Sequence, residues 1–138
     1  MSIYLDSSFL VSLYVTDVHS AEARRRVQEA PAYGLTPLHF AEWAHALAQH
    51  ECRGNLSSEK ARQMLAEFAF DQTEGLWVEV LMPENAFRLC ADLASPKLGV
   101  RTLDSLHVAC ALELKATRFW TFDERQAKLA KAQGLKTN

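Results

Sequence analysis

Short apolar runs and longer amphipathic stretches alternate along the chain, a pattern that predicts strands separated by helices. The apolar runs that read as strands are 3–5, 33–36, 77–80 and 118–122. The helical stretches begin at Ser7 and cover 17–30, 37–53, 58–70, 83–93, 100–114 and 124–131. Helices that separate strands favour an α/β domain, with a parallel sheet covered by helices on both faces.

The stretch 100–114 is apolar almost all the way round a helical wheel, so we expect a helix that is buried on most sides. At about a dozen residues it is too short to cross a bilayer. Thr102 is the predicted N-cap, which puts Asp104 in the first turn.

Length and composition favour one ordinary globular domain over residues 1–138, since 49% of the residues are apolar and 23% are charged. The 15 basic and 17 acidic residues give a net charge of −2, which excludes a strongly basic nucleic-acid coat protein but allows a local basic patch. The runs Arg24–Arg26 and Lys128–Lys131 read as solvated helix faces.

The three cysteines, Cys52, Cys90 and Cys110, are odd in number and far apart, which argues against a disulfide framework or a structural zinc site. Reduced thiols fit a cytoplasmic protein. The N-terminus enters a strand without a basic leader, so we expect neither a signal peptide nor a membrane span.

Acidic residues stand where parallel α/β folds form their sites. Asp6 and Asp123 follow strands, and ligand sites in such folds lie at the carboxyl ends of strands. Taken singly, Asp6, Asp104 and Asp123 are explained as helix caps or as partners of the helix dipole. Glu42 lies mid-helix among Leu38, Ala41, His45 and Ala46. This face is expected to be covered, so Glu42 is either exposed at its edge or held for a purpose.

If these four carboxylates converge, their mutual repulsion requires a cation. Oxygen ligands without a histidine or thiolate cluster favour Mg²⁺ or Mn²⁺ over zinc, and such a site suits phosphodiester hydrolysis. Hydroxyls of Ser7, Ser8 and Thr121 could orient water or phosphate. His45, His50 and His107 read as packing or surface residues.

Four segments of the chain together resemble the PIN-domain ribonucleases, most closely the VapC-type toxins of toxin–antitoxin pairs. These segments, in order along nearly the whole chain, are 4–8 (YLDSS), 40–42 (FAE), 101–109 (RTLDSLHVA) and 119–123 (FWTFD). The resemblance implies a three-layer α/β sandwich with a parallel sheet of about five strands in the order 3-2-1-4-5. Strands 1 and 4 would then be neighbours, which brings Asp6 and Asp123 together.

The resemblance also implies a metal-dependent endoribonuclease whose catalytic residues are Asp6, Glu42, Asp104 and Asp123. Asp6 and Asp104 would be the principal ligands of Mg²⁺, for which Mn²⁺ could substitute. Ser7, Thr121 and Arg101 are candidate substrate contacts, and Arg101, Arg118 and Arg125, which lie near the site in sequence, are candidates for RNA phosphate contacts. The expected partners are RNA, a small cognate antitoxin protein and a second copy of the chain. A further acid found in some family members is replaced here by His107 or Val108, so the number of metals stays open.

Two alternatives remain. A PIN-like module that binds RNA or protein without catalysis ranks below the enzyme, because all four acids are present. A Mg²⁺-dependent phosphatase or phosphotransfer domain would call for a second acid close to the first strand, whereas Ser7 and Ser8 follow Asp6.

Overall fold

A computed structural model describes every residue from Met1 to Asn138. The backbone forms two compact units: Met1–Phe9 together with Leu81–Asn138, and Leu10–Val80. No helix is long and apolar enough to span a membrane.

The first unit is built on a parallel sheet of three strands in the order β1-β4-β5. These strands are β1 (Ile3–Leu5), β4 (Arg118–Trp120) and β5 (Lys136–Thr137). The unit's complete helices are α5 (Ala86–Asp92), α6 (Thr102–Glu113) and α7 (Glu124–Ala132). Helix α1 (Ser7–Tyr14) begins in this unit and continues into the second one.

Aromatic side chains on the two central strands form the core of the first unit. Tyr4 stacks on Phe119 with ring centroids 5.6 Å apart, and Phe9 packs against Trp120 and Phe122. The whole run Ser105–Ala111 of helix α6 is buried. Its apolar pattern predicted a helix enclosed on most sides, and the structure confirms it.

The second unit contains a pair of parallel strands, β2 (Tyr33–Leu35) and β3 (Trp77–Glu79). Its helices are α2 (Ser20–Arg26), α3 (Pro37–Cys52) and α4 (Ser58–Thr73), with a 3-10 turn at Val27–Glu29. Rings of Tyr14, Trp43 and Phe68 pack together in its interior.

The predicted α/β class with parallel strands is confirmed, and so are the neighbours 3-2 and 1-4-5 in the strand order. The strands are hydrogen-bonded as sheets of three and two rather than as one sheet of five. Each strand is only two or three residues long, so every ladder contains few hydrogen bonds.

Several helix boundaries differ from the predicted ones. Arg101, not Thr102, occupies the N-cap of α6, because its backbone is extended while Thr102 is already helical. Helix α5 begins at Ala86 rather than Pro83. Thr36 and Ser57 are the N-caps of α3 and α4, and the three cysteines are free thiols.

Candidate active site

The candidate site lies at the carboxyl ends of β1 and β4. These strands are parallel neighbours with Leu5 opposite Trp120, and the Asp6 N–H continues the ladder to the Trp120 carbonyl at 3.0 Å. Asp6 therefore begins where β1 ends, and Asp123 follows β4 on the adjacent strand. The pairing of β1 with β4 thus brings the segments of Asp6 and Asp123 to the same edge of the sheet, as predicted.

Asp6 is a buried carboxylate with hydrogen-bond donors on both oxygens. The Phe9 N–H donates to Oδ1 at 2.8 Å, which caps the first turn of α1. The Ser8 hydroxyl lies 2.9 and 2.8 Å from the two oxygens, and the Thr121 hydroxyl lies 2.8 Å from Oδ2. Burial raises the pKa of Asp6 above its ordinary value, although His107 and these donors oppose the rise.

Thr121 connects the two strand ends. Its hydroxyl is within reach of Asp6 Oδ2 and, at 2.6 Å, of Gln126 Oε1, so its single proton can be donated to either. The same oxygen accepts the N–H of Asp123 at 3.0 Å. The Asp123 carboxylate, which is half-buried, caps α7 by accepting the Gln126 N–H at 2.8 Å.

Asp104 lies in the first turn of α6, as the sequence predicted. Its carboxylate is 18% exposed and pairs with the Nε of Arg101 at 2.9 Å, while the Arg101 side chain is 83% exposed. The Asp104 carbonyl accepts a hydrogen bond from Gln126 Nε2 at 3.0 Å. Helices α6 and α7 are thus joined directly beside the acidic side chains.

Gln126 was not among the predicted site residues, although it is fully buried and contacts three site segments. Its position three residues after a capping aspartate is typical of a capping box. That signal was available in the sequence, but it predicts a bond back to the cap. The side chain instead reaches Thr121 and Asp104.

His107 forms a second buried group behind Asp6. Its Nδ1 lies 2.8 Å from the Tyr4 hydroxyl and its Nε2 lies 3.1 Å from the Ser7 hydroxyl. The predicted packing role of His107 agrees with this position. Ser7, a predicted substrate contact, is itself buried, and its hydroxyl is engaged with the histidine.

Glu42 lies in α3, within the other compact unit, and its side chain is half-buried. The prediction that its helix face is covered is correct only in part, because Ala41 and His45 are exposed while Leu38 and Ala46 are half-buried. Small side chains occur on covered and on open helix faces alike, so they do not distinguish the two. The role of Glu42 in the site stays a prediction.

The carboxylates of the candidate site could bind a metal ion only together with water ligands. The structure holds no group of three or more histidine, cysteine, aspartate or glutamate side chains arranged to bind one. Magnesium nevertheless uses one or two carboxylates and keeps several of its waters. The carboxylates of Asp6 and Asp104 therefore fit hydrated Mg²⁺ in ligand type, and they do not fit a closed cage of protein ligands.

The fold is shared with a solved toxin structure. It matches VapC20 of Mycobacterium tuberculosis, described as a Sarcin-Ricin loop cleaving toxin, with a TM-score of 0.68 over 97% of this chain and 96% of that one. The two are 14% identical, so this match concerns the fold alone.

Sequence comparison defines the class. A family model for the PIN domain matches residues 3–132, across both compact units, and the chain therefore belongs to the PIN-domain family. Among curated proteins, the chain is similar to Ribonuclease VapC3 of Pyrobaculum aerophilum, with 30% identity over 132 residues, 93% of this chain and 94% of that protein. The resemblance to VapC-type PIN ribonucleases that the four motifs suggested is confirmed.

Proposed function

We propose that this protein is a Mg²⁺-dependent endoribonuclease that acts as the toxin of a toxin–antitoxin pair. Its membership of the PIN-domain family and its similarity to a ribonuclease of VapC type support the reaction class. The single observation that carries the proposal is the junction at Thr121, where the Asp6 carboxylate and the segment of Asp123 meet.

In this proposal Asp6 and Asp104 hold the metal, and Asp123 and Glu42 complete the acidic pocket. When bound, Mg²⁺, or Mn²⁺ in its place, polarises the phosphate and lowers the pKa of an attacking water. The metal also offsets the burial of Asp6, since a cation beside a buried carboxylate favours its charged form.

Arg101 pairs with Asp104, one of the two proposed metal ligands. Its guanidinium pairs with one oxygen of Asp104, but its side chain is largely exposed, and pairs of that kind contribute little free energy. A cation held by Asp104 would therefore meet little competition from Arg101. The Arg101 guanidinium, three residues from the acid, would then be placed to donate to an RNA phosphate.

The remaining side chains hold this arrangement in place. Gln126 ties the Asp104 carbonyl to the Thr121 hydroxyl, which fixes the start of α6 relative to the end of β4. His107 and Tyr4 fill the space behind Ser7 and keep water away from the first turn of α1. Such rigidity reduces the reorganisation needed at the reacting phosphate.

The expected partners follow from the same class. We propose that RNA is the substrate, that a small antitoxin protein blocks the site, and that the chain forms a homodimer. The description of VapC20 as a toxin supports the first two, though it concerns that protein.

Cleavage of total RNA by the purified protein tests the proposal. We expect cuts with Mg²⁺ or Mn²⁺, none with EDTA, and none with Asp104→Asn, whose far-ultraviolet circular dichroism should match the wild type. Full activity of Asp104→Asn, or activity that resists chelation, contradicts the mechanism. RNA that is bound but never cut, with the metal shown to be bound, indicates a non-catalytic binding module instead.

A further inference from the structure

A groove of about 420 Å³ lies between the loop before α6 and the exposed side of α7. It is lined by Pro96, Lys97, Leu98, Gly99, Arg125 and Lys128. Three of these six residues are cationic and none is acidic, although the whole chain has a net charge of −2. We refer to this surface as the basic groove.

The three cations of the basic groove lack neutralising partners. Lys97, Arg125 and Lys128 are exposed and form no ion pair. Arg125 and Lys128 stand three residues apart on α7, where like charges repel and destabilise the helix slightly. Glu124, four residues before Lys128 on the same helix, forms no ion pair with it, so the positive charge of the groove is available to an anion from outside the chain.

The other basic cluster of the chain, Arg24–Arg26, differs from the basic groove in its ion pairs. In α2, Arg25 and Arg26 both pair with Glu22, and Arg26 also reaches Glu29. Two of the three arginines of that cluster are thus paired within their own helix and turn, and Arg24 is not. The sequence predicts a solvated face for Arg24–Arg26 and for Lys128–Lys131 alike, and the ion pairs of Arg25 and Arg26 distinguish the first from the second.

The wall formed by residues 95–99 is preformed. The Leu98 N–H donates to the Ser95 hydroxyl at 3.2 Å, and the Gly99 N–H donates to the Ser95 carbonyl at 3.1 Å. Gly99 has a φ of +60°, and no atom lies within 4 Å of the position where a Cβ would stand. The glycine therefore permits the turn and leaves the groove open on that side.

The groove also adjoins the proposed cleavage site along the chain. Gly99 is two residues before Arg101, and Arg125 lies between the cap Asp123 and the buried Gln126. The hydrogen bond from Gln126 to the Asp104 carbonyl joins α7 to the first turn of α6, which follows the loop 95–99. Both walls of the groove are therefore continuous in sequence with segments that carry the proposed site.

We propose that the basic groove binds a backbone phosphate of the RNA next to the one that is cut, an inference that rests on the proposed function. Lys97, Arg125 and Lys128 supply the positive charge, and the phosphate contact positions the strand without reading its sequence. Lys128 thus belongs to a binding surface rather than to a merely solvated face.

The test measures the binding of fluorescent oligouridylate and oligoadenylate by anisotropy in EDTA, where no cleavage is expected. The variants are Lys97→Ala, Arg125→Ala and Lys128→Ala. Lys131→Ala is the matched control, because it removes the same charge from α7 at an exposed position outside the groove. Each phosphate contact with a single strand contributes about 0.7 to the slope of log K against log salt. A variant that loses one contact and binds as the wild type at ~1 M salt therefore binds about fivefold more weakly at ~0.1 M salt.

We expect each groove variant to bind both oligonucleotides about fivefold more weakly, with a shallower salt dependence, while Lys131→Ala binds as the wild type. Equal affinity of the groove variants and wild type, in a protein that does cut RNA, overturns this inference and leaves the proposed function standing. Wild type that neither binds nor cuts RNA overturns both. Groove variants that keep RNA but lose binding to oligoglutamate indicate an acidic protein partner and contradict the RNA assignment.

Discussion

Asp6 and Asp17 accept almost the same set of hydrogen bonds, yet their pKa values shift in opposite directions. Each carboxylate accepts from two hydroxyls and one backbone N–H: Ser8, Thr121 and Phe9 for Asp6, and Ser12, Ser20 and His19 for Asp17. Asp6 is 3% exposed and its pKa is raised. Asp17 is exposed, and there the donors outweigh the smaller effect of burial and lower the pKa.

The difference separates a carboxylate that local structure explains from one that is a candidate for the proposed site. All partners of Asp17 lie within five residues of it, as in an ordinary cap and turn. One partner of Asp6 is Thr121, 115 residues away, and the burial of Asp6 disfavours its charge. A buried carboxylate with such a cost is a functional-site candidate, whereas Asp17 is sufficiently explained by local structure.

The largest expected effect is on cleavage. Asp6→Asn keeps an acceptor for the cap but removes the charge, and we expect RNA cleavage in Mg²⁺ to fall by about 100-fold or more. Asp17→Asn should change the rate by no more than about twofold, as for a surface substitution. Initial rates on the same RNA measure both, and similar losses in the two variants would show that burial does not mark the functional acid.

Metal binding gives the next largest effect. Mg²⁺ at about 100 times its dissociation constant should stabilise the wild type by about 2.7 kcal/mol, a rise in Tm of roughly 10 °C. Asp17→Asn should show the same rise and Asp6→Asn little of it. Thermal denaturation with Mg²⁺ and with EDTA provides the measurement, and an undiminished rise in Asp6→Asn would assign the metal to other residues.

The third, smaller effect is on stability and concerns His107, whose ring lies behind Asp6. His107→Leu leaves the hydroxyls of Tyr4 and Ser7 buried without their partner, and we expect the free energy of unfolding to fall by about 2 kcal/mol. His45→Leu is the control, since His45 is exposed and its loss should cost at most about 0.5 kcal/mol. Urea denaturation distinguishes them; equal stabilities would mean that the two hydroxyls find other partners.

Local patterns in the sequence were sufficient to predict part of this site. Capping chemistry and strand ends located Asp6 and Asp123, and the apolar run around Val108 predicted the buried helix that carries Asp104. The partners of these acids could not be predicted, because they come from distant segments. Thr121 is 115 residues from Asp6, and a glutamine three residues after a helix cap does not reveal that its side chain will reach another helix.

The smallest expected effect is on the pH dependence of stability, measured in EDTA. It tests the contrast between Asp6 and Asp17 most directly. Because the native pKa of Asp6 is raised, its contribution to stability is complete below the ordinary value of 3.8 and is lost as the pH rises through the native pKa. Asp6→Asn has no such charge, so its stability relative to wild type should increase from acid to neutral pH.

Asp17 should show the opposite sign. Its native pKa is lowered, so its contribution is present above 3.8 and is lost as the pH falls through the native pKa. Asp17→Asn should therefore be less stable than wild type at neutral pH, by a small amount because the group is exposed, and the deficit should vanish in acid. Urea denaturation of both variants between pH ~3 and ~7 measures the two trends. If the trends have the same sign, burial does not govern the charge of Asp6.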